Sequence, residues 1–428
     1  MLTREENDLM CRVEGDAPMG QLMRRHWLPA CLSEEEVAAD GDPVPVRLLG
    51  EDLVVFRDTD GRLGVLDRYC PHRRASLVFG RNEDCGLRCL YHGWKIDVDG
   101  NVVEMPSETA GSTLAQKVKH TSYPAHEHGG FVWVYMGPRE TMPAFAPPPF
   151  APSAKAKLSI VKFVVDCNWA QVLEGAIDSA HSSSLHSTDM TPARVDSAKA
   201  TSSAWLRPST DKAPRLVSEA TDYGFKYAAI RRPISNAATS DYVRISVFVA
   251  PITVLIPPND LYNVANINVP IDDTHTMFHF IAWNEDEPAG VEPEAWRKFC
   301  AAQVGIDVDR DWKRVRGPHN RYGQDRQAMK LGSFTGIPGI PNQDVAMWET
   351  MGPIADRSRD RLGASDLAIV EFRRVMLKAA QDFAAGGKAL GAGVPTTHLR
   401  SFEGIVQKGV DWRTLGAIAP ESTAAAAD

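Results

Sequence analysis

The sequence predicts an α+β protein with two domains, and three features of the chain indicate it. Short, closely spaced segments with the period of β-strands run from Val44 to Tyr135. Met142 to Pro152 then holds five prolines in eleven residues, which is typical of a stiff, extended linker. Beyond it, Ala204 to Trp283 alternates as strands between helical segments, as in an antiparallel sheet covered by helices.

These features divide the chain into four predicted segments. Residues 1–41 form a helical segment, broken at Gly15–Pro18, that packs on the C-terminal domain. Residues 42–141 form a small β-rich domain, and residues 142–152 are the linker. Residues 153–428 form the second, larger domain.

The composition excludes several classes of protein. With a net charge of −8 and no basic run, the chain is not expected to bind nucleic acid. Its longest apolar stretch, Ile245 to Pro257, is too short to span a membrane, and its N-terminus lacks the apolar core of a signal peptide. The seven cysteines are an odd number with no disulfide pattern, so we expect a reducing, cytoplasmic location.

Two Cys–His pairs stand in one short window of the β-rich domain, Cys70-x-His72 and Cys89-x-x-His92. Two thiolates and two imidazoles at one point indicate a soft transition metal. Zinc ribbons place two residues between the ligands of each pair, so the one-residue gap in Cys70-x-His72 fits zinc poorly. The set fits a Rieske [2Fe–2S] centre, in which Cys70 and Cys89 hold one iron and His72 and His92 hold the other.

A second candidate metal site follows the linker, in Asp178-Ser-Ala-His181-Ser-Ser-Ser-Leu-His186. The His-x4-His spacing is weak by itself in a chain with 12 histidines. On an ideal helix the two imidazoles would point about 140° apart, so the helix has to loosen or stop within Ser182–Ser184 if they share a metal. A chain with a one-electron centre needs an electron acceptor, and two histidines with one carboxylate form the usual non-haem Fe(II) oxygenase site.

Both stretches resemble the Rieske ring-hydroxylating oxygenases. The shared features are Cys-Pro-His-Arg, Cys-x-Tyr-His-Gly-Trp, and an Asn-Trp helix start followed by Asp-x-x-His-x-x-x-x-His. The resemblance implies that His181 and His186 ligate a mononuclear iron. It also implies that Asp178 bridges His181 to a Rieske histidine, His92, of an adjacent subunit, so that a homotrimer or a hexamer is expected.

The third iron ligand is predicted from a separate stretch. Asp344 stands where the family has an acidic residue followed one turn later by an aromatic residue and a glutamate. Asp356 and Asp360 are alternatives, although salt bridges to neighbouring arginines explain them better. Gln343 departs from the family pattern, since many relatives have an acid at that position.

Arginines in the predicted sheet are candidates for binding an anionic substrate. Arg244 lies in the middle of a strand-like run, where a guanidinium is costly to bury without an anion. Arg207 is a second candidate, and the Ser179 hydroxyl could add a hydrogen bond. A structural salt bridge explains either arginine as well.

Within the family, Met351–Ser358 and Leu362–Asp366 resemble the phthalate dioxygenase and phenoxybenzoate dioxygenase branch. That resemblance implies an aromatic carboxylate substrate, with phthalate and O2 giving the cis-4,5-dihydrodiol. Electrons would come from NADH through a separate flavin and [2Fe–2S] reductase, since the chain has no Gly-rich dinucleotide-binding loop. Two alternatives remain, a Rieske monooxygenase or O-demethylase acting on a similar acid, and a pure electron carrier in which His181, His186 and Asp344 would be idle.

Overall fold

The computed structural model describes residues 1–195, 205–258, 261–285 and 291–416. Within them, a unit of small sheets precedes a large antiparallel sheet with helices packed on it, so the predicted α+β class is confirmed. No helix in these ranges is long and apolar enough to cross a membrane. The limits of the four predicted segments stay a prediction.

The N-terminal unit contains three small antiparallel sheets. Its strands are β1 (Trp27–Leu32), β2 (Val44–Leu48), β3 (Glu51–Arg57), β4 (Leu63–Asp67), β5 (Arg81–Glu83), β6 (Gly86–Arg88), β7 (Lys95–Ile96), β8 (Val102–Glu104), β9 (Ser122–Tyr123), β10 (Ala125–His128) and β11 (Phe131–Tyr135). The strand orders are β2-β3-β4-β9, β5-β6-β7-β8 and β1-β11-β10. In β3, alternate residues face two cores: Leu53 and Val55 pack into the main core, and Val54 and Phe56 pack into a smaller one that also holds both cluster cysteines.

The C-terminal unit is built on an eight-stranded sheet. Its strands are β12 (Lys157–Val165), β13 (Met190–Pro192), β14 (Trp205–Arg207), β15 (Arg215–Ala220), β16 (Gly224–Arg231), β17 (Ser240–Val249), β18 (Thr253–Ile256), β19 (Asn263–Pro270), β20 (Thr276–Asn284) and β21 (Phe402–Gln407). The order is β12-β20-β19-β18-β17-β16-β15, with β21 pairing with the first half of β17, while β13 and β14 form a separate parallel pair. The predicted strand region is thus present, although its first residue, Ala204, lies outside the described residues.

Helices cover the large sheet and connect it to the N-terminus. They are α1 (Arg4–Cys11), α2 (Pro18–Met23), α3 (Ser33–Glu36), α4 (Leu114–Lys117), α5 (Trp169–Ile177), α6 (Pro293–Phe299), α7 (Arg326–Lys330), α8 (Ile340–Thr350) and α9 (Leu367–Ala384). Helix α5 packs on β18, β19 and β20 and also contacts α8 and α9, while α1 and α2 pack against α9. Asn168 caps α5 by accepting the Ala170 N–H at 3.0 Å, and its amide donates to the Cys11 carbonyl at 2.9 Å, which ties α1 to the sheet.

Two features of the chain were not evident from its pattern. Residues 27–32, inside the segment predicted to be helical, form strand β1 and pair with Phe131–Tyr135, because a run that is buried on both faces lacks the alternation of an ordinary strand. The Pro-rich stretch has no helix or strand, yet Phe150 is fully buried and stacks near Trp133, with ring centroids 6.4 Å apart. The stretch is therefore anchored to the N-terminal unit at Phe150.

Gly175 of α5 allows the close approach of α8, and a Cβ at this position would overlap the indole of Trp348. We expect Gly175→Ala to lower the free energy of unfolding by about 1 kcal/mol, because overpacking costs about 1–3 kcal/mol and helix propensity returns at most about 1 kcal/mol. Differential scanning calorimetry measures the effect. Gly363→Ala is the control, since its nearest neighbour would be the Asp366 carboxylate at 3.8 Å. An unchanged melting temperature for Gly175→Ala would show that α8 does not depend on this contact.

Candidate active site

The four residues of the predicted cluster lie on two loops of the N-terminal unit that approach each other. Cys70 and Cys89 are buried, whereas His72 and His92 are half-buried with ring centroids 4.4 Å apart. Trp94 stacks on His72, with ring centroids 4.5 Å apart. The two thiols thus point inwards and the two imidazoles lie at the surface, as a Rieske cluster that exchanges electrons through its histidine side requires.

The surroundings of Cys70 disfavour its thiolate when no metal is bound. Burial raises the pKa of this thiol to about 11, although backbone N–H groups of His72 and Arg73 donate to its sulfur and oppose the shift. At neutral pH a thiolate is therefore favoured only beside a positive centre, which fits cluster binding with release of protons. The donated N–H groups are also one of the controls on a cluster's reduction potential.

Helix α5 stops before it reaches the two candidate iron ligands. Asp178 follows its last residue and has extended backbone angles (φ −64°, ψ 117°), and His181–Ser183 is a separate 3₁₀ turn. The Asp178 carboxylate accepts the N–H groups of Ala180 at 2.7 Å and His181 at 3.4 Å. These two hydrogen bonds take the place of the backbone hydrogen bonds that a continuing helix would form. The expected break within Ser182–Ser184 thus falls several residues earlier, because an aspartate ends the helix.

His181, His186 and Asp344 bring three ligand atoms together. The two Nε2 atoms are 3.2 Å apart, and Asp344 Oδ1 lies 3.4 Å from Nε2 of His181 and 3.1 Å from Nε2 of His186. Bonds of about 2.1 Å at angles of about 90–109° separate the ligands of one metal by about 3.0–3.4 Å, so this set fits a metal ion. The buried Oδ1 accepts no well-aligned hydrogen bond from a described residue, which leaves it available as a ligand.

The His181 imidazole and the Asp344 carboxylate of the triad each shift the pKa of the other towards its charged form. Burial alone would lower the pKa of His181, but the nearby carboxylates of Asp178 and Asp344 raise it to about 10. Burial would raise the pKa of Asp344, but the nearby imidazoles of His186 and His181 lower it to about 2. The group thus keeps an ionised carboxylate at neutral pH, and a bound metal ion would displace the proton from the imidazoles.

Gln343 determines which nitrogen of His186 faces the triad. His186 Nδ1 donates to Gln343 Oε1 at 2.7 Å, so Nε2 is the nitrogen that the neutral imidazole offers to a metal in the triad. The Gln343 amide nitrogen in turn donates to Asp189 at 2.9 Å and to the Ile337 carbonyl at 3.0 Å. The residue that departs from the family pattern therefore orients a candidate ligand with a neutral amide, without adding a further charge.

Helix α8 carries the acidic ligand and is held at both ends. It follows Gly339, which has φ 78° and whose Cβ position is filled by the Cys300 carbonyl. Asn342 donates to the same Cys300 carbonyl at 3.1 Å. Near the other end, Glu349 forms a buried ion pair with Arg314. These contacts fix the position of the helix relative to the sheet.

Asp178 lies at the edge of the triad, with its Oδ2 3.5 Å from Nδ1 of His181 and about a quarter of its side chain (24%) exposed. Its carboxylate lines an open groove, together with the exposed apolar side chains Phe334, Met347 and Met351. This geometry leaves one side of the carboxylate accessible from outside the chain.

The alternative acids take no part in the triad. Asp360 forms an ion pair with Arg373 at 2.7 Å, rather than with an arginine next to it in sequence. Asp356 accepts the Ser358 N–H at 3.2 Å and so caps a 3₁₀ turn. Both acids have structural partners, and Asp344 is the acid that lies beside the two histidines.

A pocket lies on the other side of the triad. Arg244 and Ser179 both line it. Arg244 is buried and donates to the Tyr242 hydroxyl at 3.2 Å and to the Pro257 carbonyl at 2.9 Å. The apolar part of the wall contains aromatic side chains, Trp205, Phe278, Phe280 and Trp348. The pocket is thus suited to an aromatic ring with an anionic group.

Arg207 lies behind this wall. It is 4% exposed and donates to the hydroxyls of Ser182 at 2.9 Å and Ser183 at 3.0 Å. Arg231, which no sequence motif singles out, lies in the same region and is 1% exposed. Arg231 is the last residue of β16, and Arg244 lies within the neighbouring strand β17. Because Arg231 and Arg232 are adjacent, the sequence does not show which of the two guanidinium groups is buried.

A cluster site of the Rieske type and a two-histidine, one-carboxylate site in one chain define the Rieske non-haem iron oxygenases. Residues 26–123 match the Rieske [2Fe-2S] domain family, and residues 134–427 match the family described as LigXa C-terminal domain like. The chain belongs to the Rieske oxygenases with this C-terminal domain. Its cofactors are a [2Fe–2S] Rieske cluster and mononuclear non-haem iron, and it acts with O2, an organic substrate and an electron-donating partner.

Individual relatives show how similar the chain is to proteins of known activity. It is 67% identical to the phthalate 4,5-dioxygenase oxygenase subunit of Pseudomonas putida, over 96% of this chain and 94% of that protein. It is 36% identical to the 3-chlorobenzoate-3,4-dioxygenase oxygenase subunit of Comamonas testosteroni, over 96% and 97%. The crystal structure of dicamba monooxygenase bound to dicamba has a TM-score of 0.58 at 18% identity, covering 85% of this chain and 99% of that one, and shares the fold.

Replacing Gln343 tests whether it orients His186. We expect Gln343→Leu to weaken iron binding about 10–100-fold, because the buried Nδ1 of His186 loses its acceptor and the imidazole its fixed orientation. Competition with a ferrous chelator measures the affinity, and the visible spectrum of the [2Fe–2S] cluster reports on the N-terminal unit. Gln381→Leu, on the exposed face of α9, is the matched control. Equal iron affinity in both variants would contradict the role of Gln343.

Proposed function

We propose that this protein is the oxygenase component of an aromatic-ring dioxygenase that converts phthalate and O2 into the cis-4,5-dihydrodiol. The observation that carries the proposal is the buried Arg244 in the wall of a pocket that opens on the His181, His186 and Asp344 triad. A guanidinium can bind a carboxylate through two parallel hydrogen bonds, and the aromatic side chains of the pocket wall suit an aromatic ring. The similarity to a phthalate 4,5-dioxygenase subunit favours the same substrate.

His181, His186 and Asp344 would hold the mononuclear iron, and Cys70, His72, Cys89 and His92 would hold the cluster. Iron bound at the triad supplies the O2 chemistry of the family, and the cluster supplies single electrons. These residue assignments rest on the converging ligand atoms and on the pairing of buried thiols with surface imidazoles.

The remaining side chains of the pocket would bind and orient the substrate and would exclude water. Arg244 and Ser179 would hold a substrate carboxylate, and Arg207, behind Ser182, would belong to the same positively charged end of the pocket. The aromatic wall would keep bulk water away from the ring while electrons arrive. Asp178 would hold the proton on His181 Nδ1, which keeps the opposite nitrogen directed at the metal.

We propose that electrons reach the triad from the cluster of an adjacent subunit in a homotrimer or hexamer. Asp178 lies in an open groove with exposed apolar side chains, and Phe79, Leu90 and Tyr91 are exposed on the cluster-bearing unit, so each surface offers apolar area for an interface. His92 of one subunit would then meet Asp178 of the next. Electrons would enter from NADH through a flavin and [2Fe–2S] reductase in the cytoplasm.

A turnover assay with labelled oxygen tests the function. With a matching reductase, we expect phthalate to cause equal consumption of NADH and O2, and ¹⁸O2 to place both labels in the dihydrodiol. His181→Ala is expected to keep the cluster spectrum but to lose the mononuclear iron and all turnover, because one ligand is missing. A single label in the product would favour the monooxygenase or O-demethylase alternative. A wild-type protein that binds its cluster but no third iron would favour the electron carrier.

Replacing Asp178 tests the proposed bridge. Asp178→Asn should keep both metal centres but slow electron transfer from the reduced cluster at least tenfold, because the amide cannot hold the His181 proton as a carboxylate does. Stopped-flow reoxidation of the cluster in the presence of phthalate and O2 measures this rate. Asp382→Asn, the same change at an exposed acid of α9, serves as the comparison. The bridge is excluded if the Asp178→Asn rate equals that of the wild type.

A further inference from the structure

A third buried arginine, Arg231, accompanies the two candidate substrate arginines. Strands β16 and β17 pair so that Arg231 lies directly opposite Tyr242, and Arg244 follows Tyr242 by two residues on the same face. Arg207 is linked to Arg231 through two serines, because it donates to the Ser182 hydroxyl, which donates to the same Ser179 carbonyl that accepts from Arg231. The three guanidinium groups thus form one cluster, which we call the arginine cluster.

Two members of the arginine cluster have only neutral acceptors among the described residues. Arg231 Nη2 donates to the Ser179 carbonyl at 2.7 Å and both of its terminal nitrogens lie 3.4 Å from the Ser179 hydroxyl. Arg207 donates to serine hydroxyls, and the buried Nε atoms of both arginines have no acceptor. Burial, with repulsion from Arg244, lowers the pKa of Arg207 to about 9 and that of Arg231 to about 10. Buried charges are normally paired, so Arg207 and Arg231 hold positive charge that no carboxylate of the described residues contacts directly.

The arginine cluster is connected to the pocket wall through two serines. Ser179 and Ser182 both line the pocket. Arg231 donates a hydrogen bond to the Ser179 carbonyl, and Arg207 donates one to the Ser182 hydroxyl. The Ser182 hydroxyl in turn donates to the same Ser179 carbonyl at 3.0 Å. A change at Arg231 therefore affects both the charge behind the pocket and the position of Ser179.

We propose that Arg231 is a positioning residue that determines specificity: it fixes Ser179 in the pocket wall and makes the pocket prefer a dianion to a monoanion of the same shape. The proposal rests on the proposed function, in which an aromatic dicarboxylate binds in this pocket. A surplus positive charge about 10 Å from a ligand favours a second negative charge by roughly tenfold at an effective dielectric constant of about 20.

The test compares two ligands and four variants of the holoenzyme. Phthalate is the dianion, and 2-carbamoylbenzoate is a monoanion of nearly the same shape. Their dissociation constants are measured by isothermal titration calorimetry, and kcat and KM by O2 consumption. The variants are Arg231→Gln, Arg231→Met, Arg231→Lys and, as the control, Arg232→Gln on the neighbouring exposed side chain. Iron content and the cluster spectrum check that each variant is folded and loaded.

We expect Arg231→Gln to reduce the preference for phthalate over 2-carbamoylbenzoate about tenfold, mainly through KM, while Arg231→Lys keeps most of it and Arg232→Gln keeps all of it. Arg231→Met replaces Arg231→Gln if the latter does not fold, since apolar residues often substitute well for buried charges. An unchanged preference in the charge-free variants, or an equal loss in Arg231→Lys, overturns the proposal. If the wild type binds neither ligand, the proposed function fails, which is a separate result.

Discussion

The arrangement of the candidate iron site depends on the end of helix α5 at Asp178. A continuous helix would point the two imidazoles roughly 140° apart. Because the Asp178 carboxylate takes up the N–H groups of the following turn, the chain leaves the helix and returns in a 3₁₀ turn, and the two Nε2 atoms come within 3.2 Å of each other. One side chain therefore ends the helix, contacts His181 and remains partly exposed.

The third ligand depends on contacts far from it in sequence. Helix α8 is pressed against α5 at Gly175, tied to Cys300 by Asn342, and held to the sheet by Glu349. Gln343, next to Asp344, orients His186 across the site. The acid and one histidine are thus positioned by the same turn of one helix, so a shift of α8 would disturb two ligands together.

The triad lies between two different environments. On one side is a pocket with an aromatic wall and the buried Arg244, and on the other is an open groove that begins at Asp178. This separation suits a reaction in which an organic anion and an electron donor must both reach one metal without meeting. On the pocket side, Arg207 and Arg231 have only neutral acceptors among the described residues, whereas Arg357 and Arg373 of the groove pair with Glu174 and Asp360.

The sequence by itself determined the α+β class, the strands around Arg244 and the cluster motif, because spacing and period are local properties of the chain. The candidate residues Asp178, His181, His186 and Asp344 followed from the resemblance of two stretches to the family. It did not determine strand β1, the helix end at Asp178, the orientation of His186 by Gln343, or the burial of Arg231. Each of these depends on partners distant in sequence: Phe131–Tyr135 for the strand, the paired strands for the arginine, and helix α8 for the histidine. Tertiary packing decided them, since only the folded chain brings those partners within hydrogen-bonding distance.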